Sequence, residues 1–243
     1  HSKKRDRDAI SHHYDVSNTF YRWVLGPSMA YTCAVFPKAD ATLEEAQEEK
    51  FDLVCRKLGL ERGQRLLDVG CGWGGLTLHA ARHYGVQVIG VTLSEQQASW
   101  GSEAIAREGL SHLAQIRHQD YRDVQERGFD AISSIGLTEH IGRDNYPAYF
   151  AFLKSRLDPQ GRLLNHCITR TDTSQRTTYK NGFINRYVFP DGELVPVGQI
   201  VDRIEDVGFE VRHEENLREH YALTLMHWSR NLEEHWNAHE RDV

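Results

Sequence analysis

An acid and an imidazole stand at the end of an apolar run. The stretch AISSIGLTEHIG, residues 131–142, is small and apolar until it reaches Glu139 and His140. Ligands of parallel sheets bind at the carboxyl ends of the strands, so a carboxylate there is placed for chemistry. We therefore expect Glu139 to be functional, and a catalytic base is its first interpretation. His140 receives no role.

A glycine-rich stretch, LLDVGCGWGG, forms a second candidate site. It places Asp68, Gly70, Gly72 and Gly74 where a strand gives way to a helix. Glycines let the backbone turn tightly there and approach a ligand closely. Through Gly75 the stretch also fits the GxGxxG fingerprint of dinucleotide-binding proteins, so a NAD(P)-linked oxidoreductase has to be weighed.

Two features favour S-adenosylmethionine (SAM) over a dinucleotide at this loop. A NAD site needs an acidic residue at the tip of the second strand. That strand ends in VTLSEQQ, with Glu95 already in the following helix. In addition, Asp68 lies two residues before the first glycine, as in the acidic-x-Gly-x-Gly loop of SAM methyltransferases. Its carboxylate would accept a hydrogen bond from the ammonium group of the cofactor.

The elements that position these residues alternate between strand and helix. Short apolar runs predict strands at 65–70, 86–93, 114–120, 129–136, 161–169 and 209–217. Helices are predicted to about 84, to about 108, over 144–157 and over 197–208. This alternation predicts an α/β fold with a doubly wound, mostly parallel sheet.

The first 60 residues are predicted to be helical. Ser17 or Asn18 is a plausible N-cap for a helix that ends at Gly26 and Pro27. A second helix covers 41–60, where Thr42 is followed three residues later by an acidic residue in a capping-box pattern.

One catalytic domain is predicted for residues 1–243. It consists of a helical cap (1–60), a cofactor-binding core (61–169), a lid-like insertion (170–196) and a C-terminal part (197–243). The insertion is too long for an ordinary connection. Its aromatic and basic residues suit a lid over a pocket or a surface that faces anionic headgroups, and a plain structural excursion stays equally open.

Composition and charge narrow the class of protein. The net charge of −6 argues against a general nucleic-acid binder. No run approaches the roughly 18 apolar residues that span a bilayer, and no apolar leader follows the charged start. Four scattered cysteines indicate reduced thiols in the cytoplasm. His79 and His83 are interpreted as solvated helix histidines, and no metal site is predicted.

Several motifs in order resemble one known family across nearly the whole chain. They are HYDVSNTFYRWVLGPSMAYTCAVF, LLDVGCGWGG, VTLSEQQ, SIGLTEHIG, FPDGEL and LREHYALTL. They are similar to the cyclopropane fatty acid and cyclopropane mycolic acid synthases. The resemblance implies the class I SAM methyltransferase fold and transfer of the SAM methyl group to the cis double bond of an unsaturated acyl chain. It also implies a phospholipid substrate and contact with the inner face of the membrane, and it leaves a homodimer open.

The resemblance also implies which residues bind the cofactor. They are Tyr31, Thr32, Asp68, Gly70, Gly72, Thr92, Leu93, Gln97, Asp120, Tyr121, Ile135 and Gly136. At position 32 the family commonly has Ser, and Thr32 keeps the hydroxyl group.

A bicarbonate ion is the second group that the resemblance implies. Cys33, Glu139, His166 and Tyr221 would hold it, with the backbone of Ile168 nearby. Methyl transfer to an alkene leaves a carbocation, and ring closure then needs a base. A free carboxylate could trap that cation covalently, so the bicarbonate would take the proton and Glu139 would hold the bicarbonate. The Tyr221 ring would stabilise the cation.

The product and the extent of the chain stay open. Cyclopropanation is the leading interpretation, with a methyl-branched or 10-methylene acyl chain as the alternative and a non-catalytic lipid-binding module as an outsider. The chain does not begin with Met. The resemblance implies an antiparallel last strand beyond Val243 and, in longer members, an N-terminal domain, so we expect the chain to be part of a longer protein.

Overall fold

Five parallel strands form the centre of the molecule. The computed structural model describes residues 17–171 and 192–239, without the side chains of 237–239. The strands are β1 (Arg65–Val69), β2 (Gln87–Thr92), β3 (Ala114–His118), β4 (Phe129–Ile135) and β5 (Leu157–His166). Their order is β3-β2-β1-β4-β5. The chain therefore reverses its direction across the sheet between β1 and β4, where a crevice for a ligand opens at the carboxyl ends.

Helices cover both faces of this sheet. They are α1 (Asn18–Leu25), α2 (Leu43–Leu58), α3 (Gly75–His79), α4 (Glu95–Arg107), α5 (Thr138–Ile141), α6 (Tyr146–Arg156), α7 (Val197–Asp206) and α8 (Arg218–His239). Helix α3 continues directly into a π-helical turn over Ala80–Tyr84. The predicted α/β fold with a doubly wound parallel sheet is confirmed.

The predicted capping residues form the helix ends. The Ser17 side chain accepts a hydrogen bond from the backbone of Phe20, and Gly26 ends α1. At α2, the Thr42 hydroxyl accepts from the Glu45 backbone while the Glu45 carboxylate accepts from the Thr42 backbone. These reciprocal bonds satisfy two amide groups that have no partner within the helix.

Side chains of the central strand alternate between two cores. Leu66 packs into a cluster with residues of α2, α3 and α4. Leu67 and Val69 point to the opposite face, into a cluster with α6 and α7. A third cluster joins α1, the segment that follows it and Trp228 of α8. Because β1 is buried on both sides, its apolar residues Leu66, Leu67 and Val69 do not alternate with exposed ones, and its carboxylate, Asp68, is buried as well.

The prediction of a sixth strand at 209–217 is wrong. Residues 209–216 form no ladder, and most of them are exposed. A strand needs a partner edge for its backbone groups, and alternating apolar residues alone do not supply one. Helix α8 follows this stretch and was not predicted. Strand β5 begins at Leu157, earlier than expected, with an irregular register opposite Phe129 and Ala131.

Most of the predicted insertion, 172–191, lies outside the described residues, as do the first 16 residues of the predicted helical cap. Among the helices that the structure describes, none has the length and apolar content required to cross a membrane.

Candidate active site

A cavity opens where β1, β2 and β4 end. Eleven of the twelve residues that the family resemblance assigns to the cofactor line this cavity. They are Tyr31, Thr32, Asp68, Gly70, Gly72, Thr92, Leu93, Gln97, Tyr121, Ile135 and Gly136. The twelfth, Asp120, is buried beside the cavity, where its carboxylate accepts hydrogen bonds from the Arg122 backbone and guanidinium. Arg122 itself lines the cavity.

The glycine loop leaves its backbone open to a ligand. Gly72 has a φ of 56°, which favours glycine, and a side chain there would meet nothing within 4 Å. Gly75 is needed for the opposite reason, because a Cβ atom at this position would lie 2.6 Å from Cζ of Phe51. The loop therefore combines a free backbone on the cavity side with tight packing on the α2 side.

Asp68 is held at the bottom of the cavity by two hydroxyl groups. The Ser133 hydroxyl donates to Oδ1 at 2.8 Å and the Thr77 hydroxyl donates to Oδ2 at 3.0 Å. Burial raises the pKa of Asp68, while the two hydroxyls and the charge of Lys50 oppose that rise. The carboxylate is thus oriented and able to accept a further hydrogen bond from an ammonium group.

Lys50 is a cavity residue that the sequence reasoning missed. It lies on α2, is only 4% exposed and lines the cavity together with Asp68. Burial lowers its pKa to about 8, against the favourable charge of Asp68. A signal was present, because Lys50 stands within the apolar stripe that begins at Leu43 and Ala46. A lysine in such a stripe needs a partner.

The tip of β2 is a small hydrogen-bonded unit. The Thr92 hydroxyl donates to Oε1 of Gln97 at 2.7 Å and accepts from the Ser94 backbone. The Ser94 hydroxyl in turn accepts from the Gln97 backbone as the cap of α4. Glu95 is exposed on the helix and does not line the cavity, which is the opposite of what a dinucleotide site requires.

The segment that follows α1, residues 30–36, forms the roof of the cavity and is hydrogen-bonded to both α2 and α8. Gln47 of α2 donates to the Thr32 carbonyl at 2.9 Å. From α8, the Thr224 hydroxyl accepts from the Ala34 backbone and Nδ1 of His220 accepts from the Phe36 backbone, both at 3.0 Å. The segment that carries Tyr31 and Thr32 is therefore fixed by helices that lie far apart in the chain.

Glu139 lies in the short helix α5, which begins at Thr138 soon after β4 ends. The Ile168 backbone donates to its Oε1 at 2.7 Å, whereas Oε2 is buried and has no hydrogen-bond partner in the described part of the chain. Burial raises the pKa of Glu139 to about 6, against the effect of the Ile168 amide. One oxygen of the carboxylate is thus anchored, and the other is left for a ligand.

His166 ends β5, next to the end of β4. It pairs with Ile135 in the sheet, and its carbonyl accepts from the Gly136 backbone at 2.9 Å. Its Nδ1 is buried without a hydrogen-bond partner among the residues described. Burial lowers the pKa of His166 to about 4, and the positive charges of Lys50 and Lys57 lower it further. The ring is therefore neutral at physiological pH.

Cys33 and Tyr221 meet where α8 begins. The Cys33 thiol, fully buried, lies 3.7 Å from the Leu217 carbonyl, which also accepts from the Tyr221 backbone. Burial raises the pKa of Cys33 to about 11. Burial also raises the pKa of the Tyr221 phenol, and the charge of Glu139 adds to that rise. Both groups are therefore neutral donors.

Cys33, Glu139, His166, Ile168 and Tyr221 do not themselves line the cofactor cavity. Three of them lie next to residues that do, because Cys33 follows Thr32 in the chain, Glu139 precedes His140, and His166 is paired with Ile135. The Ile168 amide is hydrogen-bonded to Glu139, and Tyr221 shares the Leu217 carbonyl with Cys33. His140, left without a role by the sequence, is itself a wall residue.

Comparisons with known proteins agree with this geometry. The sequence matches the family described as mycolic acid cyclopropane synthetase over residues 1–242. A probable fatty acid methyltransferase of Mycobacterium tuberculosis is 65% identical over 98% of this chain and 55% of its own length. The cyclopropane-fatty-acyl-phospholipid synthase of Escherichia coli K12 is 41% identical over 93% and 57%. The chain thus spans little more than half the length of these relatives.

A solved structure extends the agreement to the fold. The mycolic acid cyclopropane synthase CmaA1 in complex with S-adenosylhomocysteine (SAH) and CTAB is 35% identical, with a TM-score of 0.87 over 93% of this chain and 83% of that one. The parallel sheet with its flanking helices is the class I SAM methyltransferase fold. By sequence and by fold, the chain belongs to the mycolic acid cyclopropane synthetase family.

Proposed function

We propose that the protein transfers a methyl group from SAM to the cis double bond of an unsaturated acyl chain on a phospholipid, and closes a cyclopropane ring. The observation that carries the proposal is a pair of buried polar atoms beside the cofactor cavity. Oε2 of Glu139 and Nδ1 of His166 both lack a hydrogen-bond partner in the described residues. Buried polar atoms of this kind are costly unless a ligand pairs with them.

The chain's own residues would hold the two ends of the cofactor's amino-acid part. Asp68 accepts hydrogen bonds and suits the ammonium group, while Lys50 is positively charged below about pH 8 and suits the carboxylate. SAM supplies an electrophilic methyl group on a sulfonium centre. The glycine loop and the tip of β2 then orient the cofactor within the cavity.

The unpaired atoms fit a small oxyanion such as bicarbonate. The neutral Cys33 thiol, His166 ring and Tyr221 phenol are donors for its oxygens, and Oε2 of Glu139 is an acceptor for its hydroxyl group. When bound, bicarbonate would supply a base for the proton that ring closure releases. Glu139 would then position that base, because one of its oxygens is already fixed by the Ile168 amide.

Incubation with SAM and dioleoyl phospholipid, followed by mass spectrometry of the acyl chains, tests this function. We expect a mass gain of one methylene in a product that resists hydrogenation, as a ring does. Depletion of carbon dioxide should lower the yield, and added bicarbonate should restore it. SAM binding without any lipid product would instead support a non-catalytic lipid-binding module.

A methyl-branched or 10-methylene product is the second candidate. Its support is the name of the relative with 65% identity, a probable fatty acid methyltransferase. The same experiment separates the two products. A 10-methylene chain takes up hydrogen on catalytic reduction. A saturated methyl branch carries two hydrogens more than the ring and is expected only when a hydride donor is added to the incubation as the reductant.

A phospholipid substrate implies that the enzyme works at the membrane surface, and we propose peripheral contact with the inner, cytoplasmic face. Co-sedimentation of the protein with vesicles of anionic phospholipid tests this contact, and vesicles of neutral lipid are the control.

The single catalytic domain, its boundaries and the homodimer stay predictions.

A further inference from the structure

We infer that Glu48, His79 and His83 form a binding site for one divalent transition-metal ion of the zinc class. Each residue offers one ligand atom, and these three atoms lie within 4.8 Å of one another. None of the three residues lines the cofactor cavity. The site therefore differs from the one that the proposed function uses.

The two histidines lie on the same side of one helical segment. His79 ends α3 and His83 follows in the π-helical turn, and their ring centroids are 4.5 Å apart. A π-helical turn is rare and often marks a functional position. Histidines four residues apart on a helix are a frequent pair of metal ligands.

The third ligand comes from a different helix, which explains why no metal site was predicted. Glu48 of α2 lies across from His79, with its Oε2 2.9 Å from Nδ1. The interpretation of His79 as a solvated histidine is wrong, because its side chain is only 7% exposed. His83 is exposed as expected. Sequence spacing shows the helical pair but not a partner contributed by tertiary packing.

The surroundings of His79 also suit a metal ligand. Its Nε2 is buried without a hydrogen bond to any described residue, and the nearest carboxylate oxygen, Oδ1 of Asp52, is 3.8 Å away. A ligand histidine keeps its second nitrogen protonated toward a carboxylate, which fixes the ring. A metal on the Nδ1 side, between Glu48 and His83, would use Asp52 in this way.

The donor set selects the kind of ion. Two imidazoles and one carboxylate are ligands that zinc and neighbouring metals accept, whereas magnesium and calcium prefer oxygen alone. Glu48 and His83 are exposed, so both can close the remaining distance around an ion. Because α3 begins at the glycine loop, a bound ion would fasten α2 to the segment that carries the cofactor site.

Titration of untagged, chelator-treated protein with Zn²⁺ in a calorimeter tests the site. We expect one saturable equivalent, a higher melting temperature, and, with Co²⁺ as probe, the visible absorption of a low-coordinate ion. His83→Gln and Glu48→Gln should each weaken binding about ten-fold or more, and Asp52→Asn about ten-fold. His112→Gln, an exposed histidine elsewhere, is the matched control.

SAH binding by the same variants tests whether misfolding causes a loss of zinc affinity. Neither Glu48 nor His83 lines the cofactor cavity, so both variants should keep the wild-type affinity for SAH. Zinc affinity that is the same in His83→Gln as in the wild type would overturn the site. So would a wild-type affinity no tighter than that of the Glu48→Gln, His83→Gln double variant.

Discussion

Glu139 has one oxygen fixed by the Ile168 amide and one without a partner. We expect Glu139→Gln to lower turnover on the order of 100-fold, because a neutral amide holds the base less well. The affinity for SAH should change little, since Glu139 does not line the cofactor cavity. Single-turnover kinetics and calorimetry measure the two effects. Glu103→Gln, at an exposed position, is the control, and a parallel loss of SAH affinity would contradict the assigned role.

The raised pKa of Glu139 makes a prediction about stability. The folded protein binds a proton up to about pH 6 at a carboxyl whose ordinary pKa is 4.5. Between these values the folded state holds more protons than the unfolded state, so stability falls as pH rises. We expect the wild type to lose about 1.5 kcal/mol relative to Glu139→Gln from pH 4.5 to 6.5, and little above that.

Urea unfolding of both proteins across this pH range measures the difference. The shift of His166 has the opposite sign, because a pKa lowered to about 4 makes stability rise between pH 4 and 6.5. That contribution is present in both proteins and cancels in the comparison. A difference that does not change with pH would contradict the burial of the Glu139 carboxyl.

The third prediction for a single residue concerns the contribution of Lys50 to SAH binding. We expect Lys50→Met to lower the affinity for SAH about ten-fold at pH 7, because a buried charged partner of the cofactor is lost. Since burial lowers the pKa of Lys50 to about 8, the wild-type affinity should also decline above that pH. Calorimetry from pH 7 to 9.5 checks both effects. Lys57→Met, on the same helix at a surface ion pair with Glu215, should bind SAH normally.

At the scale of elements, helix α4 packs closely against the glycine loop at Gly101. A Cβ atom on Gly101 would meet the Ile116 side chain and lie 3.0 Å from the Trp73 carbonyl oxygen. We expect Gly101→Ala to destabilise the protein by about 1–3 kcal/mol and to weaken SAH binding. Gly198→Ala in α7, where nothing lies within 4 Å, should stabilise by about 0.5–1 kcal/mol. Thermal unfolding of both variants provides the test, and equal effects would contradict this packing.

Elements with strong local patterns could be predicted, and those that depend on partners could not. Strand β1 could be predicted because Leu66, Leu67 and Val69 form an apolar run that packs on both faces of the sheet, and the cap at Thr42 is a local contact. The stretch 209–217 alternates like a strand, but no edge of the sheet receives it. Helix α8 was missed because its buried positions are few, with Thr224 and Trp228 among mostly exposed residues.

The candidate site divides in the same way. The glycine loop and Glu139 could be found from local sequence, since each follows a predicted strand. Cys33, His166 and Tyr221 came only from the family resemblance, because a single buried residue of these types has no pattern of its own. Lys50 and the Glu48 partner of His79 depend on packing between helices, which sequence spacing does not reveal.

At the scale of the whole molecule, the sheet order decides where the cofactor site lies. The crevice between β1 and β4 is the position of both dinucleotide and SAM sites, but the exposed Glu95 offers nothing to a ribose. We expect SAH to raise the melting temperature, by the equivalent of about 2.7 kcal/mol at 100 times its Kd, and NAD to leave it unchanged. A shift with NAD alone would contradict the cofactor assignment.

The hydrogen bonds that fix the roof of the cavity have a consequence for folding during synthesis. The hydrogen bond from Ala34 to Thr224 joins positions 190 residues apart, and that to His220 spans 184. On the ribosome, the sheet and glycine loop emerge long before α8, and domains assemble as their contacts become available. A nascent chain stalled before residue 217 would have its glycine loop but would lack the hydrogen bonds from α8 to Ala34 and Phe36. We therefore expect the segment that carries Tyr31 and Thr32 to become fixed only after α8 has been synthesised.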